Sequence, residues 1–168
     1  MTLDALDIIQ GAALGAAVGL ISQRAAIVQI KARTDDSSKS QAVKKPLFTV
    51  LWIFFSALIA AGLFSLNINL IQKVEYLFYM GAALNIMIVD IAIRKIPNST
   101  LLSLLITRVA AIVAFAIDGE PLGSLISFSA IGFVIGFVLF TVPKVLRIPV
   151  GAGDIKFCAV IGFCIGFY

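Results

Sequence analysis

Histidine is absent from all 168 residues. That removes the HExxH zinc proteases, the serine–histidine membrane proteases and any histidine general base. Cysteine is nearly absent as well. Cys158 and Cys164 share one apolar stretch without a CxxC spacing, so neither a disulfide framework nor a zinc site is indicated. They read as small apolar helix residues. Acidic side chains number nine, so any hydrolytic chemistry has few carboxylates to draw on. A long polar stretch is also missing, which excludes a second, water-soluble domain.

What is abundant is apolar sequence. Hydrophobic residues make up 61% of the chain and mean hydropathy is +1.08, against about 45–50% apolar for soluble domains. The excess falls in blocks of roughly 16–22 residues, the length that crosses about 30 Å of hydrocarbon as a helix. The expected fold is all-α: a polytopic membrane helix bundle of about six transmembrane segments in a single domain over 1–168. The segments fall at about 5–30, 47–66, 74–93, 101–117, 122–142 and 154–168. Asp4 and Asp7 precede or open the first, and it lacks the basic start and cleavage site of a signal peptide. Residues 31–46 form the longest polar loop, charged and serine-containing, read as mobile and cytoplasmic. Pro46 suits the first turn of the next helix. Asp118-Gly119-Glu120-Pro121 has turn composition, and Gly132 with Gly136 gives the fifth segment a small-residue face for close packing.

The net charge of +4 does not indicate nucleic-acid binding, because the cations are gathered at one side. Alternation of segments puts Lys31, Arg33, Lys39, Lys44, Lys45, Arg94, Lys95, Lys144, Arg147 and Lys156 together. Lys73 stands on the other side, and Arg24 and Arg108 fall inside segments. The positive-inside rule then places the N-terminus outside and the basic loops in the cytoplasm.

In this topology two aspartates meet one surface. Asp90 ends an apolar segment just before Arg94-Lys95-Ile96-Pro97-Asn98. Asp154, 64 positions later, opens another inside Gly151-Ala152-Gly153-Asp154-Ile155-Lys156. Each has a structural reading of its own. Asp90 could be an interfacial aspartate paired with Arg94 four residues on, and Asp154 could be a helix N-cap. As a pair they suit another chemistry, in which two close carboxylates share one proton, one activates a water and the other polarises a scissile carbonyl. Gly151 and Gly153 would let the backbone bend and another chain approach. Lys156 would neutralise the site or mark the interface, and Pro97 would break the helix after Asp90. Arg108, in the middle of the fourth segment, needs a wet cavity or a partner. A carboxylate of the site, an acid such as Glu75 and backbone carbonyls are the candidates.

These two stretches resemble the prepilin (type IV leader) peptidases, membrane aspartic proteases of the GxGD class. Asp90-Ile91-Ala92-Ile93-Arg94-Lys95-Ile96-Pro97-Asn98 is similar to the family's D-x5-[IL]-P-[DN] stretch, and Gly151 to Lys156 to its GxGDxK stretch. GxGD alone is a weak signal; both motifs in order, on one expected face, are a strong one. The resemblance is clear over 74–168. In the first helix Gly15 and Arg24 keep the spacing of the family's G-S…N…R pattern, with Ala16 and Gly19 in place of Ser and Asn.

The resemblance implies Asp90 and Asp154 as the catalytic pair. It implies prepilin or pseudopilin leader peptides as partners, cut after a glycine at the cytoplasmic face of a prokaryotic inner membrane. No cofactor is implied. Many bacterial members carry a cysteine-rich, zinc-binding domain after the first helix; the 31–46 loop has no cysteine, so no metal is implied. The N-methyltransferase activity that bifunctional members run with S-adenosylmethionine is left open. The final segment, about 22 Å of helix past Asp154, is short where family members continue with further helices, so an inactive or truncated member is an alternative. A small proton- or ion-coupled transport or assembly subunit is another. A presenilin-like enzyme fits poorly, because Val89 precedes Asp90 where those carry tyrosine, and no Pro-Ala-Leu occurs.

Overall fold

The computed structural model describes residues 5–166. Asp4 and the Phe167–Tyr168 end of the expected sixth segment lie outside the described residues. Seven helices and no strand occur among them: α1 Ala5–Lys31, α2 Ser37–Val43, α3 Pro46–Phe64, α4 Leu70–Ile93, α5 Asn98–Ile117, α6 Leu122–Val145 and α7 Ala152–Ile165. α1, α3, α4, α5 and α6 are long and apolar enough to cross a membrane. α7, in place of the sixth expected segment, has 14 described residues. The chain is therefore a multi-pass helical membrane protein. It divides into two compact units, one through Pro97 and one from Asn98 onward.

In the first unit α1 packs along α3 and α4. Between lipid-embedded helices apolar burial supplies little drive, so close backbone approach and interhelical hydrogen bonds matter more. Gly11, Gly15 and Gly19, one per turn, provide that approach. A β-carbon on Gly19 would lie 2.5 Å from Ser56 Oγ, and one on Gly11 would lie 2.6 Å from the Phe64 β-carbon. The opposite side of α3 shows Phe54, Phe55, Leu58 and Ile59 outward, the apolar surface that lipid covers.

The stretch expected as a loop over 31–46 contains α2. Asp36 caps it, accepting from the Ser38 N–H at 3.0 Å, and Val43 is buried with Ala26, Ile30, Trp52, Ile88 and Val89. Gln23 Nε2, itself buried, donates to the Val43 carbonyl at 2.7 Å and to Thr49 Oγ1 at 2.8 Å. One amide thus fastens the end of α2 and the start of α3 to α1. Trp52 Nε1 donates to Ser22 Oγ at 3.3 Å, and Asn85 Nδ2 donates to the Ser22 carbonyl at 3.2 Å, which ties α3 and α4 to the same turn of α1. Hydropathy placed 31–46 outside the apolar blocks; it could not register that Val43 and Ser40 turn inward.

α4 starts earlier than the expected Val74. Asn69 Oδ1 accepts from the Gln72 N–H and Gln72 Oε1 from the Asn69 N–H. This capping box begins the helix inside the stretch read as a turn. At the same end Lys73 pairs with Asp7 at 3.3 Å.

In the second unit α6 and α7 pack most closely. A β-carbon on Gly132 would overlap the Gly162 carbonyl, and one on Gly136 the Cys158 carbonyl, as the small-residue face of α6 led one to expect. α6 runs past its expected end at Val142 and takes Pro143 into its last turn; a proline there removes one N–H donor but leaves its carbonyl, which accepts from Ile148 at 3.0 Å. The turn between α5 and α6 closes at Gly119, whose φ of +100° suits glycine.

Candidate active site

Asp90 lies in the last turn of α4. The face carrying Leu84, Asn85, Ile88 and Val89 is buried, and Asp90, about 100° further round the helix from Val89, is exposed. The helix stops at Ile93 because Arg94 takes a left-handed backbone (φ 51°, ψ 45°) while its N–H still reaches the Asp90 carbonyl at 2.7 Å. That turn explains why the alternative Asp90–Arg94 ion pair is not formed among the described residues: Arg94 has left the helical register that sets i and i+4 side by side. The backbone of Arg94 ends the helix, three residues before Pro97. Pro97 is fully buried and leads directly into Asn98, the first residue of α5.

Asp154 is the third residue of α7, not its N-cap. Gly151 holds that place, with an extended backbone (φ −67°, ψ 142°). From the third position the Asp154 carboxylate folds back, and Oδ2 accepts from the Gly151 N–H at 3.2 Å. A β-carbon at 151 would stand 2.8 Å from that oxygen, so glycine here leaves room for the carboxylate. Asp154 is exposed and its Oδ1 has no partner among the described residues. One carboxylate oxygen is therefore positioned by backbone while the other is open to water. Gly153 sits half-buried in the same first turn, and Lys156 is exposed in the next, without an ion pair to Asp154 among the described residues. Gly151, Gly153, Asp154 and Lys156 are thus brought together by one helix start in the second unit; Asp90 and Pro97 belong to the first.

Arg108 is 2% exposed, and its Nε donates to Ser129 Oγ of α6 at 2.9 Å. This hydroxyl partner was not among the candidates from sequence. Gln23 and Asn85 were also passed over, although the signal was there: each is a polar amide inside an apolar run, where an unpaired polar group costs several kcal/mol (roughly 2–7). They fix α2, α3 and α4 against α1.

The Asp154 carboxylate, exposed and aligned by a glycine N–H, can serve as an acid or base. The model of the type IV leader peptidase family matches residues 77–168, a span holding both aspartates and both motifs. No curated protein and no solved structure matches the chain. The match covers more than half of the sequence and starts within α4, and on it the protein belongs to the type IV leader peptidase family.

Proposed function

We propose that this membrane protease is an aspartic endopeptidase that removes the short basic leader of type IV prepilins or pseudopilins. It acts at the cytoplasmic face of the inner membrane, with Asp90 and Asp154 as its dyad. The observation that carries the reading is the family match over 77–168, whose span includes both acids. The exposure of both carboxylates supports it.

In the proposed reaction the dyad holds one proton and one water. The ionised carboxylate takes a proton from the water as its oxygen attacks the scissile carbonyl carbon. The protonated carboxyl donates to the carbonyl oxygen. Collapse of the tetrahedral intermediate breaks the C–N bond, and the leaving nitrogen takes up a proton from the dyad. Gly151 and Gly153 keep the approach to Asp154 unobstructed, and Lys156 marks the membrane interface beside it.

The test is cleavage of a prepilin whose basic leader ends in glycine, by membranes containing the chain, beside the Asp90→Asn and Asp154→Asn proteins. A shortened product from the unaltered chain alone supports the dyad. Near-normal processing by either variant ends it. Topology is checked separately: protease added from the cytoplasmic side should nick 32–45, and nicking from outside would strand the site away from a cytoplasmic leader.

A further inference from the structure

The second unit contains a groove of about 360 Å³ between α5, α6 and α7. Its walls are apolar, formed among others by Leu102, Leu105, Phe133, Phe137 and Val160, and its polar lining residues are Asn98 of α5 and Lys156 of α7. Both stand near the start of their helices. On α6, Phe133, Phe137 and Thr141 follow at four-residue steps and so share a face. Thr141 Oγ1, one turn beyond the aromatic pair, is buried without a hydrogen-bond partner among the described residues.

The lining of the groove discriminates between occupants. A peptide backbone carries amides that need partners when buried, and the lining side chains supply them only at Asn98 and Lys156. An acyl chain has no polar groups to satisfy. The polar pair complements an anion: Lys156 offers an ammonium and Asn98 an amide, both donors, while Asp154 does not line the groove.

We propose that this groove binds one acyl chain of an anionic phospholipid, with the lipid phosphodiester held at Lys156 and Asn98. The site is independent of the proteolytic reading, although it lies on the helix that carries Asp154. A bound lipid would brace the first two turns of α7 against α5 and α6.

The test uses the full chain in phosphatidylcholine nanodiscs doped with phosphatidylglycerol that carries a diazirine in one acyl chain, beside discs doped with diazirine-labelled phosphatidylcholine. After irradiation the labelled peptides are mapped. Label should concentrate on 101–105 and 133–137. Phosphatidylglycerol should exceed phosphatidylcholine by about five-fold, the preference one lysine near an anionic headgroup supplies. Lys156→Gln should remove that preference while labelling persists. Leu102→Trp, a change at an exposed position, should lower labelling by both lipids. Equal labelling by the two lipids, or label spread evenly over all outward helix faces, would overturn the proposal. Displacement of both lipids by a prepilin substrate would overturn it too, by making the substrate the occupant. The readout needs no cleavage, so a failed protease assay leaves it unaffected.

Discussion

The two units solve helix packing in different ways. In the first, α1 supplies both halves of the solution: glycines at 11, 15 and 19 let α3 approach, and one turn further on Ser22 and Gln23 fasten α2, α3 and α4 by hydrogen bonds. The carboxylate there, Asp90, hangs from the last turn of a 24-residue helix whose buried face is filled. In the second, Gly132, Gly136 and Gly162 seat α6 on α7, but α7 is short, its carboxylate folds onto its own N-terminal backbone, and a groove stays open beside it. The first unit is braced by side-chain bonds between helices. The second relies on backbone contact for α6 and α7, with Arg108 and Ser129 joining α5 to α6. Interhelical side-chain hydrogen bonds thus gather on one turn of α1 in the first unit, while in the second a groove stays open on the helix that carries Asp154.

The largest effect should come from the acids. Asp90→Asn and Asp154→Asn should each cut leader cleavage by at least about 10²–10⁴-fold, the range of a lost general acid or base, with protein levels near normal on immunoblots. Gly132→Ala comes next. Its new β-carbon meets the Gly162 backbone, which cannot yield as a side chain does, and overpacking of this kind costs about 1–3 kcal/mol. Gly62→Ala, with nothing within 4 Å of the added carbon, should be neutral or slightly stabilising. Thermal denaturation in detergent distinguishes them, and equal midpoints would show that α6 and α7 are not held by backbone contact.

Gln23→Leu removes the donor to Val43 and Thr49 and should cost about 1–3 kcal/mol, read as faster proteolytic nicking of 32–45. Unchanged nicking would mean that α2 is held by Val43 burial alone. Gly151→Ala should lower kcat about tenfold by pushing Asp154 Oδ2 off its N–H, a loss of about 1.4 kcal/mol in transition-state terms, with KM little changed.

The smallest effect is at the exposed cap of α2. The Ser38 hydroxyl and N–H hold the Asp36 carboxyl below its usual range. A depressed acid contributes its stability above the unfolded value and loses it as pH falls through the folded one. Amide protection in α2, exchange measured against its intrinsic pH dependence, should therefore be flat through neutral pH and fall only as pH drops below the ordinary carboxylate range. An Asp36→Asn protein, which keeps a capping oxygen, should lack that step.

Much of this was legible in the residues. The apolar blocks marked five long helices, Pro46 marked the start of α3, and the Asp118–Pro121 turn closed where glycine allowed it. Gly132 and Gly136 named the packing face of α6. Two alternative readings and one boundary give way to the backbone. An aspartate near a helix start is often its N-cap, but the extended backbone at Gly151 takes that place three residues before Asp154. Four residues separate Asp90 and Arg94, but Arg94 is already in the left-handed turn that ends α4. Charged and polar neighbours make Val43 and Ser40 read as loop, yet both turn inward.

The sequence by itself determined the all-α membrane class, the helix count within one short segment, the position of both acids at block ends and, through two spaced motifs, the family. These depend on what each residue prefers, water or hydrocarbon, and on local patterns along the chain. Only the tertiary structure decided that Asp154 rests on the Gly151 N–H, that Gln23 holds α2, that Arg108 meets Ser129, and that α5, α6 and α7 leave a groove lined by Lys156. Each of those is a relation between side chains or backbone groups in three dimensions. Hydropathy assigns one value to a residue wherever it points, so it cannot carry the direction on which such contacts depend.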